Sequence, residues 1–115
     1  MKLRKKQILK SKGDYKILVE VAEITDADNF KGIVHWAFNG LYKVGQVYSF
    51  YTKDFTDEPE MMPSNILHSC AEYEAAKRFL PPMKIDAEKH NALPHIKEGY
   101  IDQLMLVKKY EHDNR

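Results

Sequence analysis

A chain of 115 residues, 43% apolar and 30% charged, has the size and balance of one globular domain spanning residues 1–115 and excludes a wholly disordered polypeptide. Cys70 is the only cysteine, which rules out an intramolecular disulfide and a four-cysteine zinc site and suits a reducing, cytoplasmic setting. A formal net charge of +1 names no partner, yet its distribution is uneven: Lys2, Arg4, Lys5, Lys6, Lys10 and Lys12 form a basic start without one acid, and the remainder carries −5.

The basic start is not followed by the apolar run of a signal peptide, and no apolar stretch of about 18 residues could cross a bilayer, so no membrane partner is expected. Gln7-Ile8-Leu9 is the first apolar segment. It leads through Lys12-Gly13-Asp14 into Tyr15–Ile24, where Tyr15, Ile17, Val19 and Val21 alternate on one face while Lys16 and Glu20 take the other. That alternation predicts a strand; a hairpin with the first segment across Gly13 is one arrangement, and a helical or disordered start is the other.

Thr25–Asn29 has the composition of a loop. Beyond it, Ile33–Phe38 meets Asn39-Gly40 and continues into Leu41–Val44, the pattern of a two-residue hairpin turn. Such a turn sets Phe38 opposite Leu41, Ala37 opposite Tyr42 and Trp36 opposite Lys43. Val34, Trp36, Phe38 and Leu41 then share one face, and His35, Ala37, Tyr42 and Val44 the other. The second strand is expected to run on through Val47–Tyr51, with a bend or bulge at Gly45.

Asp54–Pro63 is acidic, holds two prolines and is expected as a surface loop. Ser64 or Asn65 can cap a helix in which Ile66, Leu67, Cys70, Tyr73 and Leu80 line one side, with Cys70 as core filler. Pro81-Pro82 is expected to end it. Asp86–Asn91 has room for a helical turn or two. Tyr100–Tyr110 fits both periods, and a closing strand is favoured because Gly99 precedes it and a hairpin needs a further neighbour. The expected fold class is therefore α+β: an antiparallel sheet of four to five strands, with a barrel-like curl allowed, packed on one main helix.

The catalytic signatures are missing. The five glycines never cluster into a phosphate cradle. His68 and Cys70 project about 200° apart on a helix, and His90 and His95 lack the spacing of a zinc site, so neither metal nor cofactor is expected. A surplus of aromatic rings remains, among them Trp36, Phe38, Tyr42, Tyr48, Phe50 and Tyr51, with Tyr48 and Phe50 facing opposite to Tyr51 and Trp36. Three functions follow. The first is a non-catalytic module that binds a protein partner or self-associates through this hairpin. The second is single-stranded nucleic-acid binding through the rings and the basic start. The third is a small enzyme with a pocket lined by His35, Tyr42 or Tyr48.

Overall fold

The computed structural model describes residues 2–12, 17–38, 41–57, 67, 69–89 and 94–113. They divide into two compact units, Met1–Glu58 and Pro59–Arg115, the first built on a sheet and the second on helices. The fold class is α+β, with a five-stranded antiparallel sheet and two helices.

The sheet contains β1 (Ile8–Ser11), β2 (Ile17–Ile24), β3 (Asn29–Ala37), β4 (Val47–Tyr51) and β5 (Phe55–Thr56), in the spatial order β4-β3-β2-β1-β5. β1 and β2 pair in the hairpin arrangement, Leu9 against Val19, although Gly13 and Tyr15 lie outside the described residues. Asp26 closes the β2–β3 loop: its carboxylate accepts the Asp28 N–H at 2.8 Å and the Asn29 side-chain amide at 3.0 Å. These bonds hold the carboxyl below its ordinary range, Asn29 contributing most.

The sheet has to curl. β4 and β5 are its two edges, about 19 Å apart if the strands lay flat, whereas the four-residue step from Tyr51 to Phe55 can span only about 14 Å. A single 3₁₀ turn, Thr52–Asp54, makes that step and brings the Phe50 and Phe55 ring centroids to 5.1 Å. Leu9, Ile17, Val19, Val21, Phe30, Val34, Phe50 and Phe55 fill the inside of the curl. The expected loop from Asp54 onward is thus corrected at its start. Phe55 is a core residue and Phe55–Thr56 a short strand on the outer edge of β1.

The aromatic hairpin also departs from its expected register. Ile33 pairs with Val47 and Phe30 with Phe50, one residue away from what a two-residue loop imposes. Leu41–Val44 does not form a strand. The chain turns there instead: the Gln46 N–H bonds to the Lys43 carbonyl at 3.2 Å, with Gly45 at a φ of +87°, a backbone state that glycine adopts without penalty. Asn39 and Gly40 lie outside the described residues. A second irregularity lies in β3, where Leu18 faces Trp36 while Val19 faces Val34. His35 is the extra residue of a bulge, and it reverses the alternation. Val34 and Ala37 consequently pack on the core with Tyr42 and Tyr48, and Trp36 and Val34 do not share a face.

The helical unit holds α1 (Cys70–Lys89) and α2 (Pro94–Asp113). Both correct the expectation of one main helix ending at Pro81 and a strand over 100–110. α1 begins later than expected because Ser69 caps it: its Oγ accepts the Glu72 N–H at 3.1 Å, the first half of a capping box. Ser64, Asn65 and Ile66 lie outside the described residues. Tyr73, Ala76, Leu80, Met83 and Ala87 recur at spacings of three and four and form its covered stripe. Cys70 is exposed, contrary to the expectation of a core filler, because it sits on the first turn before the stripe begins.

The two helices run antiparallel. Tyr73 stacks on Tyr110 at 4.6 Å, and the Gln103 side-chain amide donates to the Ala76 carbonyl at 3.2 Å. α2 opens on Pro94, whose missing N–H has no intrahelical partner at that position. Its residues 100–107 are all buried, so strand and helix periods were both satisfied by the sequence.

Candidate functional site

Three surfaces were singled out by residue type, and the structure distributes them unevenly. Of the six aromatic candidates, Phe50 is buried and Tyr42 and Tyr48 are half-buried against the core. Their rings meet edge-on or tilted, Tyr42 to Tyr48 at 5.0 Å and Tyr42 to Phe50 at 5.5 Å, as ring quadrupoles prefer. The Tyr48 hydroxyl also accepts the Lys43 N–H at 3.0 Å and so ties the turn to β4. Trp36 and Phe38 are half-buried and form their own edge-to-face pair at 5.8 Å. Tyr51 alone among the six is exposed, at 60%. Tyr48 and Phe50 do face opposite to Tyr51.

The basic start is divided as well. Lys2, Arg4, Lys5, Lys6 and Lys12 are exposed, whereas Lys10 is only 1% exposed within β1. Lys10 is therefore no surface charge. The turn before β1 is fixed by Gln7, whose side chain accepts the Arg4 N–H at 3.0 Å and donates to Asp57 at 3.2 Å. Lys6 takes a φ of +69° in that turn and gives its N–H to the Val21 carbonyl at 2.7 Å. His35 meets Glu20 at 3.2 Å.

Two features were not legible in the sequence. The first is the free edge of β4. The Val34 N–H donates to the Gln46 carbonyl at 3.0 Å, and the Thr52 N–H donates to the Asp28 carbonyl at 2.8 Å, so the alternating ladder turns the backbone groups of Tyr48 and Phe50 toward β3. Those of Val47, Ser49 and Tyr51 point away from the sheet. All three residues are exposed, none is charged and none is proline. Leu41 and Val44, 70% and 58% exposed, lie on the turn that leads into this strand.

The second is a cavity of about 460 Å³ at the end of the curled sheet. Ile17, Phe50 and Phe55, all core residues, form its floor; Tyr42 and Leu41 form a wall, and Lys12, Lys53 and Asp54 stand at its rim. The Lys12 N–H bonds to the Asp54 carbonyl at 2.8 Å and fixes that rim. Sequence reasoning missed Ile17, Lys53 and Phe55 as neighbours because a two-residue strand carries no periodic signal.

Among the described residues, no three His, Cys, Asp or Glu side chains gather where a metal ion could be held. No described helix is long and apolar enough to cross a membrane. Comparison with protein families, with curated proteins and with solved structures finds no match for this chain.

Proposed function

We propose that this chain is a non-catalytic interaction module that self-associates by pairing the β4 edge with the same edge of a second copy. The observation that carries the reading is the uncharged, exposed edge at Val47, Ser49 and Tyr51. Natural edge strands usually discourage pairing with charge, proline or a bulge, and this one has none of them between residues 47 and 51. The strand is also self-complementary. Antiparallel pairing about Ser49 sets Val47 against the partner's Tyr51, an apolar pair on each side of the axis, and opposes no like charges. Five residues per copy make a small contact beside the roughly 800 Å² per partner of a stable interface, so the association is weak and reversible. The cytoplasm suits such a module with a single, exposed thiol.

Sedimentation across a concentration series tests it. A reversible dimer is expected, and Ser49→Pro should weaken it about tenfold while leaving the circular dichroism unchanged. That substitution removes the N–H aimed at the second copy and spares the bonds to β3. A protein that stays monomeric at millimolar concentration, or a dimer indifferent to Ser49→Pro and Val47→Lys, would sink the reading.

Single-stranded nucleic acid is the second reading, favoured by five exposed basic residues within the first twelve. With Lys10 buried, at most five phosphates are met by this segment, which corresponds to a slope of log affinity on log salt of about −3.5. Binding without a measurable salt slope would exclude this segment as the contact.

A further inference from the structure

The cavity at the end of the sheet is open at the place where the core itself is least covered. Ile17, Phe50 and Phe55 are each under 10% exposed, yet all three line a space of about 460 Å³. That volume falls within the roughly 300–1,000 Å³ of small-molecule sites, which are mostly apolar with a few polar groups at defined points. Among the described lining residues the charged ones are Lys12, Lys53 and Asp54, with a summed charge of +1, and Ser11 adds a hydroxyl. Neither lysine is paired with a carboxylate among the described residues; Lys53 lies 5.7 Å from the centroid of the Tyr51 ring, and Lys12 is held through its backbone.

We infer that this cavity is a binding site for a small organic monoanion, an aromatic or alkyl acid. Its apolar body lies against Ile17, Phe50 and Phe55, and its acid group lies between Lys12 and Lys53. The apolar side chains of Ile17, Leu41, Phe50 and Phe55 in the lining favour exchange of the cavity's contents for hydrocarbon. The two ammonium groups favour a negative head at the mouth, and Asp54 beside them disfavours a doubly charged one such as a phosphate monoester. The site uses other residues than the outward groups of β4, so it stands independently of self-association.

Titration with anilinonaphthalene sulfonate, followed by fluorescence and by amide chemical shifts, tests the assignment against phenylnaphthylamine, the same ring system without the acid group. The expected result is one sulfonate bound per chain, with shifts confined to Ser11, Lys12, Ile17, Tyr42, Phe50 and Lys53. The Lys12→Met/Lys53→Met protein should bind the sulfonate about tenfold more weakly, since each exposed ion pair contributes up to about 1 kcal/mol. Its affinity for the neutral dye should be unchanged. Asp54→Asn should tighten sulfonate binding about threefold. All three side chains are exposed, so these variants are expected to keep the circular dichroism of the parent. Absence of saturable binding, shifts centred elsewhere, or a double variant that binds the sulfonate as tightly as the parent would overturn the proposal.

Discussion

Gly32 and Gly99 look alike in a composition table and are opposites in the fold. A Cβ placed on Gly32 in β3 would come within 3.1 Å of the Phe30 ring and 3.3 Å of the Phe50 ring. Those rings fold over the glycine and fill the space a side chain would take. Gly32→Ala is therefore expected to cost about 1–3 kcal/mol through overpacking. Gly99 lies inside α2, where an added Cβ meets nothing within 4 Å. Gly99→Ala should stabilise by about 0.5–1 kcal/mol, because alanine restricts the unfolded chain and suits a helix. Urea titration of the two variants reads both signs. Burial decides the next residue along. Tyr100 is 5% exposed, and its phenol is pushed up to about 12 first by burial and then by the nearby Glu88 carboxylate. Its neutral form is favoured in the folded state, so its contribution is complete below pH 10 and is lost as pH rises from 10 through 12. The loss amounts to roughly 2–3 kcal/mol. Tyr100→Phe should flatten that part of the stability profile, and an unchanged alkaline slope would refute the assignment. None of this was legible from residue type. Lys10 gives the same lesson, for a lysine in a basic run carries no mark that its strand is covered on both faces.

Elements were easier to foresee where apolar residues alternate along a strand. In β2, Ile17, Val19 and Val21 line the core while Glu20 and Glu23 lie off it, so its extent was evident from the pattern, although Leu18 on the opposite face is fully buried as well. α2 was not, since continuous burial from Tyr100 to Val107 satisfies both periods. Intrinsic preference was the better guide: Leu104, Met105 and Leu106 are good helix formers, and β-branched residues are few there. The prolines of α1 misled for a different reason. Pro81 and Pro82 break the local rule, but the stripe of Tyr73, Ala76 and Leu80 continues in phase through Met83 and Ala87, so packing outweighs the local penalty. Both prolines are on the exposed side, where the carbonyls of Lys77 and Arg78, deprived of their usual donors, can turn to water. An interior proline costs about 3 kcal/mol, partly offset by the stiffer unfolded chain, about 0.4–1 kcal/mol. Pro81→Ala/Pro82→Ala should accordingly raise stability by roughly 2 kcal/mol or more in a urea titration. A fall would mean that the two rings make a contact the helix depends on.

At the scale of the whole molecule, the antiparallel sheet was implied by hairpin turns and alternation, but its closure was not. Closure depends on a connection from one edge to the other that is too short for a flat sheet, and on Phe55, which follows an acidic residue and has no periodic neighbours. The bulge at His35 and the extra turn at Gly45 then decide which rings face inward. A surplus of aromatics on one hairpin is thereby resolved into rings packed on the interior, a half-buried Trp36–Phe38 pair and one exposed ring. Phe50 and Tyr51 are adjacent in sequence and lie on opposite sides of that division, at 7% and 60% exposure. Phe50 touches the rings of Phe30, Tyr42, Tyr48 and Phe55 within 5.1–6.3 Å. Phe50→Ala should cost about 3–5 kcal/mol, the toll of a large cavity in a core. Tyr51→Ala should stay within about 0.5 kcal/mol of the parent in stability, as surface changes do. Its effect should appear instead in sedimentation, where removal of the ring proposed to face Val47 of a second copy is expected to weaken association. If the two substitutions destabilised equally, Tyr51 would belong to a core and the β4 edge would not be a free surface. If Tyr51→Ala altered neither stability nor self-association, the edge would be exposed without being an interface.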